Sequence, residues 1–235
     1  MESEDRVAFV SGANRGIGFG LTLEMVQHGC KVAAGYRDET RSTKLLAEAE
    51  RHGNLLPVKV DVTIEGELKH LYQFIDNQFG HLNILVNSAG VNINEPAHFN
   101  ELNWEDVAQS LEVNVGGPFM TSKTLYPLLH KGKEKKIINI SSQMGSIQLT
   151  GGGAIPYRVS KAALNMLTRN QAIEYKKDGI AVVIVHPGWV KTDMGGPAAP
   201  MTVAESARKI FQIMEMISLS NTGEFISVTG DKIPY

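Results

Sequence analysis

The chain has the length and composition of an ordinary globular protein. It contains 235 residues, of which 43% are hydrophobic and 20% are charged, and its formal net charge is -2 at pH 7. A chain of this length buries a sizeable core without metals or disulfides, so we expect one domain over residues 1–235. The weak net charge gives no reason to expect a nucleic acid partner. The longest apolar run, 180–185, is too short for a membrane span, so no membrane partner is expected.

Cysteine content and the first residues favour a cytoplasmic location. The single cysteine, Cys30, cannot form an internal disulfide, which fits a reducing compartment, and we expect it to pack in the interior. The N-terminus is acidic and lacks an apolar stretch long enough for a signal peptide. The basic cluster 131–136 is predicted to be a solvated turn before a strand.

Short β-branched runs alternate with amphipathic helical patterns along the chain. Strands are predicted at 7–10, 31–34, 56–60, 84–86, 136–140, 180–185 and near Phe225, and helices at 18–28, 43–52, 65–79, 104–130, 156–177 and 202–219. Right-handed crossovers pack such helices back onto a parallel sheet. The pattern therefore predicts a single-domain α/β Rossmann fold, a doubly wound parallel sheet of about seven strands with helices on both faces. Its ligands should bind beyond the carboxyl ends of the strands.

A glycine-rich loop joins the first strand to the first helical pattern. Glycines let the backbone turn tightly, and they let a pyrophosphate approach the N–H groups at the positive end of a helix. The loop therefore predicts a dinucleotide site, with a plain strand-to-helix turn as the alternative. The loop residues assigned to this site are Gly12, Asn14, Arg15, Gly16, Ile17 and Gly18.

The end of the second strand bears on the choice of dinucleotide. An acid about 20 residues past the glycines would hold the ribose 2′-hydroxyl of NAD, but Tyr36 occupies that place and Arg37 follows it. Arg15 can reach the same point, and two guanidinium groups suit a 2′-phosphate, so the sequence favours NADP(H). A shift of two residues would instead place Asp38 there and favour NAD.

Small polar residues end the third and fourth strands. Asp61, followed by Val62, is placed to accept a hydrogen bond from the adenine amino group, and its alternative role is to cap the next helix. Asn87 can tie neighbouring strands together, and the small residues Ala89 and Gly90 leave room for a cofactor.

A phenol and an ammonium lie four residues apart in a predicted helix. Tyr157 and Lys161 therefore share one helix face, and a cation beside tyrosine favours the phenolate. The pair looks like an acid/base at neutral pH, although an exposed helix face would also explain the spacing.

Together these motifs resemble the short-chain dehydrogenase/reductase family over essentially the whole chain. The matching pieces are Gly12-x-x-x-Gly16-Ile17-Gly18, Asp61-Val62, Asn87-Ser88-Ala89-Gly90, Asn114, Ser141-Ser142, Tyr157-x-x-x-Lys161 and Pro187-Gly188. The region 187–197 and the ending 230–235 look like the carbonyl-reductase subgroup of C-factor and sniffer proteins. Ser11 and Ser88 depart from the usual family residues. Ser142 lies 15 residues before Tyr157, and glycines 151–153 suggest an insertion between them.

The resemblance implies a role for each of these residues. Tyr157 would be the general acid/base, Lys161 would bind the nicotinamide ribose, and Ser142 would hold the substrate oxygen, with strand alternation turning Ser141 the other way. Asn114 would hold a water that passes protons to Lys161. The remaining cofactor contacts would come from Pro187, Gly188, Val190 and Thr192. His186 is expected to be structural, and no side-chain cluster has metal-ligand spacing.

The sequence leaves the substrate and the assembly open. The resemblance implies a small carbonyl or alcohol substrate, and a short segment after Gly188 implies an open site. Met144, Trp189, Met194 and Met201 are candidates for its apolar lining. A 3-oxoacyl thioester reductase and an NADP(H)-binding signalling protein are the alternatives. Relatives pair through their fourth and fifth long helices, so we expect a homodimer or homotetramer.

Overall fold

Seven parallel strands form the centre of the molecule. The computed structural model describes residues 6–93 and 99–235. In these ranges the sheet order is β3-β2-β1-β4-β5-β6-β7. The strands are β1 (Val7–Val10), β2 (Lys31–Tyr36), β3 (Leu55–Lys59), β4 (Ile84–Asn87), β5 (Lys136–Ile140), β6 (Ala181–His186) and β7 (Phe225–Ser227). Most strand residues are apolar and buried, as expected for a sheet covered on both sides.

Helices cover both faces of this sheet. They are α1 (Gly16–Gln27), α2 (Thr43–Arg51), α3 (Glu65–Phe79), α4 (Trp104–Leu111), α5 (Gly117–Lys131), α6 (Ile155–Tyr175) and α7 (Val203–Met216). One apolar core lies between the sheet and α1, α2 and α7, and a second lies between the sheet and α3, α5 and α6. The predicted doubly wound fold is therefore confirmed.

The strand order reverses at β1, and this reversal positions the site. The chain builds β1, β2 and β3 in one direction and then crosses back to place β4 on the other side of β1. Val10 of β1 pairs with Ala34 of β2 and with Val86 of β4. Ligands of open α/β sheets bind at such a switch point, beyond the carboxyl ends of the strands. The glycine loop after β1 and the residues after β4 lie at this position.

Two local predictions need correction. The helix predicted at 104–130 is interrupted by a π-helical segment, Glu112–Gly116, between α4 and α5. The predicted solvated turn at 131–136 does not extend to Lys136, which is 7% exposed in β5. Its Nζ donates to the Met214 carbonyl over 3.0 Å, and burial lowers its pKa. The other helix and strand ends lie within three residues of their predicted positions.

Candidate active site

The glycine loop is tightly packed and leaves the start of α1 open. Gly12 has a left-handed φ of 65°, and a Cβ there would lie 2.8 Å from the Cα of Ala89. A side chain at this position would therefore push β1 away from the segment after β4. Among the described residues, no side chain caps α1, whose first turn contains no acidic residue. The N–H groups and dipole of this turn therefore suit an anion.

Ser11 joins the two strand ends at the switch point. Its Oγ accepts hydrogen bonds from the backbone N–H groups of Ser88, over 3.0 Å, and Ala89, over 3.1 Å. The small polar residue that departs from the family pattern is thus a structural tie between the loops after β1 and β4.

Tyr36 ends β2, and Asp38 is engaged in its own turn. The Asp38 Oδ1 accepts hydrogen bonds from the Thr40 backbone over 2.9 Å and from the Thr40 hydroxyl over 2.7 Å. The Thr40 hydroxyl, followed by the backbone N–H groups of Thr40 and Arg41, lowers the pKa of Asp38. Its Oδ1 is thus held by local donors, and β2 ends at Tyr36, two residues before Asp38.

The two arginines assigned to a 2′-phosphate each contact a carboxylate. Arg15 forms an ion pair with Asp193, and the Arg37 Nη1 lies 3.5 Å from the Asp61 Oδ2. The side chains of Arg15 and Asp193 are 55% and 78% exposed, so this pair lies in solvent. The Arg37 side chain is 67% exposed, whereas that of Asp61 is 18% exposed. Asn14 donates to the backbone carbonyl of Arg41 over 3.2 Å. This contact places a third arginine, which was not predicted from the sequence, beside the glycine loop.

Asp61 shapes the turn after β3 rather than capping α3. Its Oδ1 accepts hydrogen bonds from the backbone N–H of Thr63 over 3.0 Å and from the Thr63 hydroxyl over 2.7 Å, and the N-cap of α3 is Ile64. Burial acts to raise the pKa of Asp61, but the Thr63 hydrogen bonds and the Arg37 charge together lower it. The neighbouring Val62 is 6% exposed, and its side chain packs against Gly117, where a Cβ would lie 2.7 Å from the Val62 Cγ2.

Asn87 ties strands together, as the sequence analysis suggested. Its Nδ2 donates to Asn139 of β5 over 2.7 Å and to the Ser122 hydroxyl over 3.3 Å. Both amide hydrogens are used inside the protein, so any hydrogen bond donated to a cofactor would come from its backbone.

The π-helical segment places Asn114 in the protein interior. Asn114 is 0% exposed, and its side chain exchanges two hydrogen bonds of 2.8 Å with the backbone of Val91. Its Nδ2 also donates to the Ser160 hydroxyl over 2.9 Å, and Ser160 donates to the Tyr157 carbonyl over 2.8 Å. Asn114 thereby links the segment after β4 to the helix that carries Tyr157. Short π segments inside helices occur frequently at functional sites.

Tyr157 and Lys161 lie together in the first turns of α6. The Lys161 Nζ is 5.6 Å from the centre of the Tyr157 ring and donates to the Ile140 carbonyl over 3.0 Å. Tyr157 is 8% exposed and Lys161 is 5% exposed. Burial lowers the pKa of Lys161 to about 8. The ammonium thus lies beside the phenol in a largely dry environment, and an exposed helix face does not explain the pair.

The two serines after β5 point to different partners. Ser141 is 2% exposed, and its hydroxyl donates to Asn165 over 2.7 Å. The Ser142 Oγ instead accepts a hydrogen bond from the Met144 N–H over 3.2 Å at the start of the short 3-10 helix Gln143–Gly145. The hydroxyl proton of Ser142 therefore remains available to a ligand. Ser141 is committed to the protein interior.

His186 ends β6 and supports the same loop. Its Nδ1 accepts a hydrogen bond from the Gln143 N–H over 3.2 Å, which requires a neutral ring. Burial lowers the pKa of His186 to about 4. This arrangement agrees with the structural role expected for His186.

The segment after β6 is short and closed at its base. Val190 and Met201 form a parallel bridge, and the Lys191 N–H donates to the Met201 carbonyl over 2.8 Å. Thr192 packs near the glycine loop, because a Cβ on Gly16 would lie 3.4 Å from its Cγ2. Pro187 and Gly188 begin this segment, and the Pro187 carbonyl accepts from the buried Ser206 hydroxyl over 2.7 Å.

The four residues suggested as an apolar lining differ in their exposure. Met201 packs against the core and lies within 3.2 Å of a Cβ built on Gly188, so it is mainly core filler. Trp189 and Met194 are 57% and 46% exposed beside the cleft, and the Trp189 indole donates to the Gly195 carbonyl over 2.8 Å. Met144 is half-buried.

Some site residues were not identified from the sequence. Asn165 accepts from Ser141 and donates to the Gly145 carbonyl over 3.2 Å, and it fixes both ends of the Ser142 turn. Tyr157, Lys161 and Asn165 follow one another at four-residue intervals and therefore share one helix face. This spacing could have identified Asn165 from the sequence. Ser160 has no comparable sequence signal, because its partner Asn114 is distant along the chain.

Open space beside Lys161 and free donors at the start of α1 are features that a dinucleotide site needs. A Cβ on Gly90 would lie 3.1 Å from the Asn114 Oδ1 and 3.6 Å from the Lys161 Nζ, so the absence of a side chain there leaves space in front of the lysine. The uncapped start of α1 provides donors for a pyrophosphate at the adjacent strand end. In the described ranges, no group of three metal-ligating side chains is present, and no helix is long and apolar enough to cross a membrane.

Comparison with known proteins defines the class. Residues 6–202 match the family described as short chain dehydrogenase. The chain therefore belongs to the short-chain dehydrogenase family of oxidoreductases, and the predicted resemblance is confirmed.

Individual relatives agree with the carbonyl-reductase subgroup. The carbonyl reductase sniffer of D. melanogaster has a TM-score of 0.93 at 29% identity and covers 98% of this chain and 99% of its own. The NADPH-bound carbonyl reductase from chicken fatty liver has the same score and coverage at 34% identity. The C-signal protein of Myxococcus xanthus is 34% identical over 157 residues, which cover 66% of this chain and 94% of that protein.

Proposed function

We propose that the protein is an NADP(H)-dependent carbonyl reductase that interconverts a small aldehyde or ketone and the corresponding alcohol. The observation that carries this proposal is the buried pair Tyr157 and Lys161, whose ammonium lies 5.6 Å from the phenol ring centre. The similarity to the NADPH-bound chicken carbonyl reductase supports the choice of reaction. The burial of this pair argues against an exposed helix face as the explanation of the four-residue spacing.

Tyr157 acts as the general acid in carbonyl reduction. The bound dinucleotide supplies hydride to the carbonyl carbon, and Tyr157 donates its phenolic proton to the carbonyl oxygen. The protonated Lys161 stabilises the phenolate that remains, because a cation favours the charged form of a neighbouring acid. In the oxidation direction the phenolate accepts the proton of the alcohol.

Ser142 and Asn114 support this proton transfer. The Ser142 Oγ accepts from the Met144 N–H, so its own proton is directed to the substrate oxygen and polarises the carbonyl. Both amide hydrogens of Asn114 are used by Val91 and Ser160, so a water beside Lys161 would be bound by an oxygen of Asn114. Such a water would return protons from solvent to Lys161 and Tyr157.

The cofactor is held along the carboxyl ends of the strands. The glycine loop, with Gly12, Asn14, Gly16, Ile17 and Gly18, binds the pyrophosphate at the start of α1, and Asp61 and Val62 bind the adenine. The nicotinamide end is held by Asn87, Ala89, Gly90, Tyr157, Lys161, Pro187, Gly188, Val190 and Thr192.

Arg15 and Arg37 select NADP(H) over NAD(H). The Arg15 pair with Asp193 is exposed, and such surface ion pairs contribute only about 0 to 1 kcal/mol, so a phosphate can replace it. The Arg37 side chain is also exposed, and its contact with the half-buried Asp61 is long, at 3.5 Å, which leaves the guanidinium open to a phosphate. The end of β2 supports the same choice, because Tyr36 occupies it and Asp38 lies two residues further on, with its Oδ1 held by Thr40.

The substrate site is open and partly apolar. Trp189 and Met194 lie exposed on the short segment after β6, and no long lid follows Gly188 before α7. This supports a range of compact apolar aldehydes and ketones over long carrier-bound thioesters. A signalling role is the second candidate, because the C-signal protein of Myxococcus xanthus is a relative. The presence of Asn114, Ser142, Tyr157 and Lys161 favours catalysis.

The protein is proposed to be a cytoplasmic homodimer or homotetramer. Val159, Met166 and Ile173 recur every seven residues on α6 and are 44%, 65% and 69% exposed. An apolar stripe of this kind supports association through α6. Its disruption by Met166→Glu should lower the molar mass measured by light scattering.

A substrate panel tests the proposed reaction. Aldehydes, ketones and oxoacyl thioesters are assayed with NADPH and NADH by loss of nicotinamide absorbance. We expect turnover of simple aldehydes or ketones with NADPH and much weaker turnover with NADH. Tight NADPH binding without turnover of any compound would instead favour the signalling role.

A further inference from the structure

The segment between Ser142 and Tyr157 has an unusual backbone. Three consecutive residues, Gly152, Gly153 and Ala154, have left-handed φ values of 77°, 68° and 44°. Ala154 is also the N-cap of α6, the helix that carries Tyr157 three residues later. A left-handed alanine is strained by its Cβ, and such strain persists only where surrounding contacts hold it in place. Some interaction must therefore fix this segment.

Arg158 provides that interaction. Its Nε lies 2.9 Å from the Gly152 carbonyl and 3.0 Å from the Gly153 carbonyl, and its Nη1 donates to the Met144 carbonyl over 3.3 Å. One guanidinium thus joins the beginning and the end of the inserted segment. Hydrogen bonds donated by a charged group are stronger than neutral ones, and the rigid fork fixes the relative positions of its acceptors.

The contact at Met144 leads directly to Ser142. The Met144 carbonyl accepts from Arg158, while the Met144 N–H donates to the Ser142 Oγ over 3.2 Å. The position of Met144 therefore sets the orientation of the Ser142 hydroxyl. Arg158 follows Tyr157 immediately in α6, so the acid and the arginine move as one rigid element.

We propose that Arg158 is a positioning residue that sets the Ser142 hydroxyl relative to Tyr157 across the insertion. It acts through Met144 and touches no reacting atom. The inference rests on the proposed carbonyl reduction for its kinetic consequences, but the positioning itself is a property of the protein without substrate. Arg158 explains how two residues 15 positions apart, separated by a glycine-rich insertion, keep a fixed geometry.

Hydrogen exchange tests the positioning independently of turnover. In Arg158→Ala we expect the amides of Met144 and of the segment 143–153 to exchange at least about tenfold faster than in the unmutated chain, while those of β5 and β6 keep their rates. Arg51→Ala is the matched control, since within the described ranges Arg51 pairs with Glu48 on the surface of α2 and contacts no part of the segment 143–153. Unchanged exchange at Met144 in Arg158→Ala overturns the proposal.

A double-mutant cycle tests the effect on the reaction. Arg158→Ala should lower kcat about 10- to 100-fold with little change in NADPH affinity, because a misplacement on the order of 1 Å costs up to about 100-fold. In a Ser142→Ala background the same change should cost less than about twofold. If the losses in kcat of the two single variants multiply in the double variant, Arg158 does not act through Ser142, and the proposal is overturned.

A conservative variant and the unmutated chain complete the test. Arg158→Lys keeps the charge but lacks the fork, so it should show intermediate exchange and kcat; it replaces Arg158→Ala if that variant does not fold. Exchange and kcat equal to those of the unmutated chain in Arg158→Lys would overturn the need for the fork. If the unmutated chain reduces no carbonyl, the proposed function fails, and the exchange result alone decides the role of Arg158.

Discussion

Gly145→Ala should damage catalysis by moving the Ser142 turn away from α6. A Cβ on Gly145 would lie 2.8 Å from the carbonyl carbon of Lys161, 2.9 Å from its Cβ and 3.0 Å from its carbonyl oxygen. Ordinary contacts begin near 3.4 Å, so the two segments must separate by at least about 0.6 Å. The atoms opposed to the new methyl are largely helix backbone and cannot rotate away. The short 3-10 helix must therefore move, together with Ser142 at its start.

The size of the effect follows from this displacement. A misplacement on the order of 1 Å lowers rates by up to about 100-fold, so we expect a 10- to 100-fold loss in kcat. Overpacking of this kind destabilises by about 1 to 3 kcal/mol, and each kcal/mol lowers Tm by about 2 to 4 °C in a protein of this size. NADPH affinity should fall less than kcat, because the glycine loop after β1 is not involved and Lys161 holds only the nicotinamide end of the cofactor.

Steady-state kinetics and NADPH titration measure these effects together. Gly151→Ala is the matched control, because a Cβ there meets nothing within 4 Å in the described part of the chain and its φ is not left-handed. It should retain kcat within about twofold. If Gly145→Ala retains the kcat of the unmutated protein, the contact between the Ser142 turn and Lys161 does not set the site geometry.

Three further changes test other parts of the site. The pKa of His186 is about 4 in the folded protein and about 6.5 when unfolded, so the unfolded chain binds the extra proton between these values. The free energy of unfolding should fall by on the order of 3 kcal/mol as pH drops through this window. It should fall less in His186→Gln, whose side-chain oxygen does not titrate and can still accept a hydrogen bond from the Gln143 N–H. Arg37→Asp should raise the KM for NADPH at least tenfold while sparing NADH, because it opposes a 2′-phosphate. Asn114→Ala should destabilise by about 1 to 3 kcal/mol, because it leaves the half-buried N–H and carbonyl of Val91 without the Asn114 amide that bonds both.

Each change has a direct measurement and an outcome that contradicts it. Urea unfolding at several pH values measures the His186 effect, and equal pH dependence in His186→Gln would refute it. If Arg37→Asp raises the KM for NADPH and the KM for NADH equally, Arg37 does not discriminate between the cofactors. Thermal unfolding measures the Asn114 effect. If Asn114→Ala unfolds at the Tm of the unmutated protein, the hydrogen bonds between Asn114 and Val91 do not support the fold.

The features carried by local sequence were predictable. The strands appear as short, mostly apolar runs in which β1, β4, β5 and β6 are rich in Val or Ile, and the glycines after β1 identify the switch point before any contact is known. The count from the glycines placed Tyr36 at the end of β2, and in the structure β2 ends at Tyr36. Asp38 lies in the turn that follows, where it bonds Thr40. The four-residue spacing of Tyr157 and Lys161 placed both on one helix face, and their burial required the sheet to pack against α6.

The features that depend on contacts between distant segments were not predictable. The π segment that contains Asn114 has the same apolar pattern as an uninterrupted helix, and it is supported by the hydrogen bonds of Asn114 to Val91 and Ser160. Lys136 looked like part of a solvated basic cluster, but β5 carries it into the interior beneath α7. The role of Arg158 depends on Met144, which lies 14 residues earlier in the chain.

The most direct test of the central claim is the turnover of Tyr157→Phe with NADPH and an aldehyde that the unmutated protein reduces. This change removes the phenolic proton but keeps the ring beside Lys161. We predict that kcat falls by at least about 100-fold, since a positioned general acid contributes about 100- to 10,000-fold, while NADPH affinity and Tm stay close to those of the unmutated protein. Retention of substantial turnover by Tyr157→Phe would contradict the assignment of Tyr157 as the proton donor.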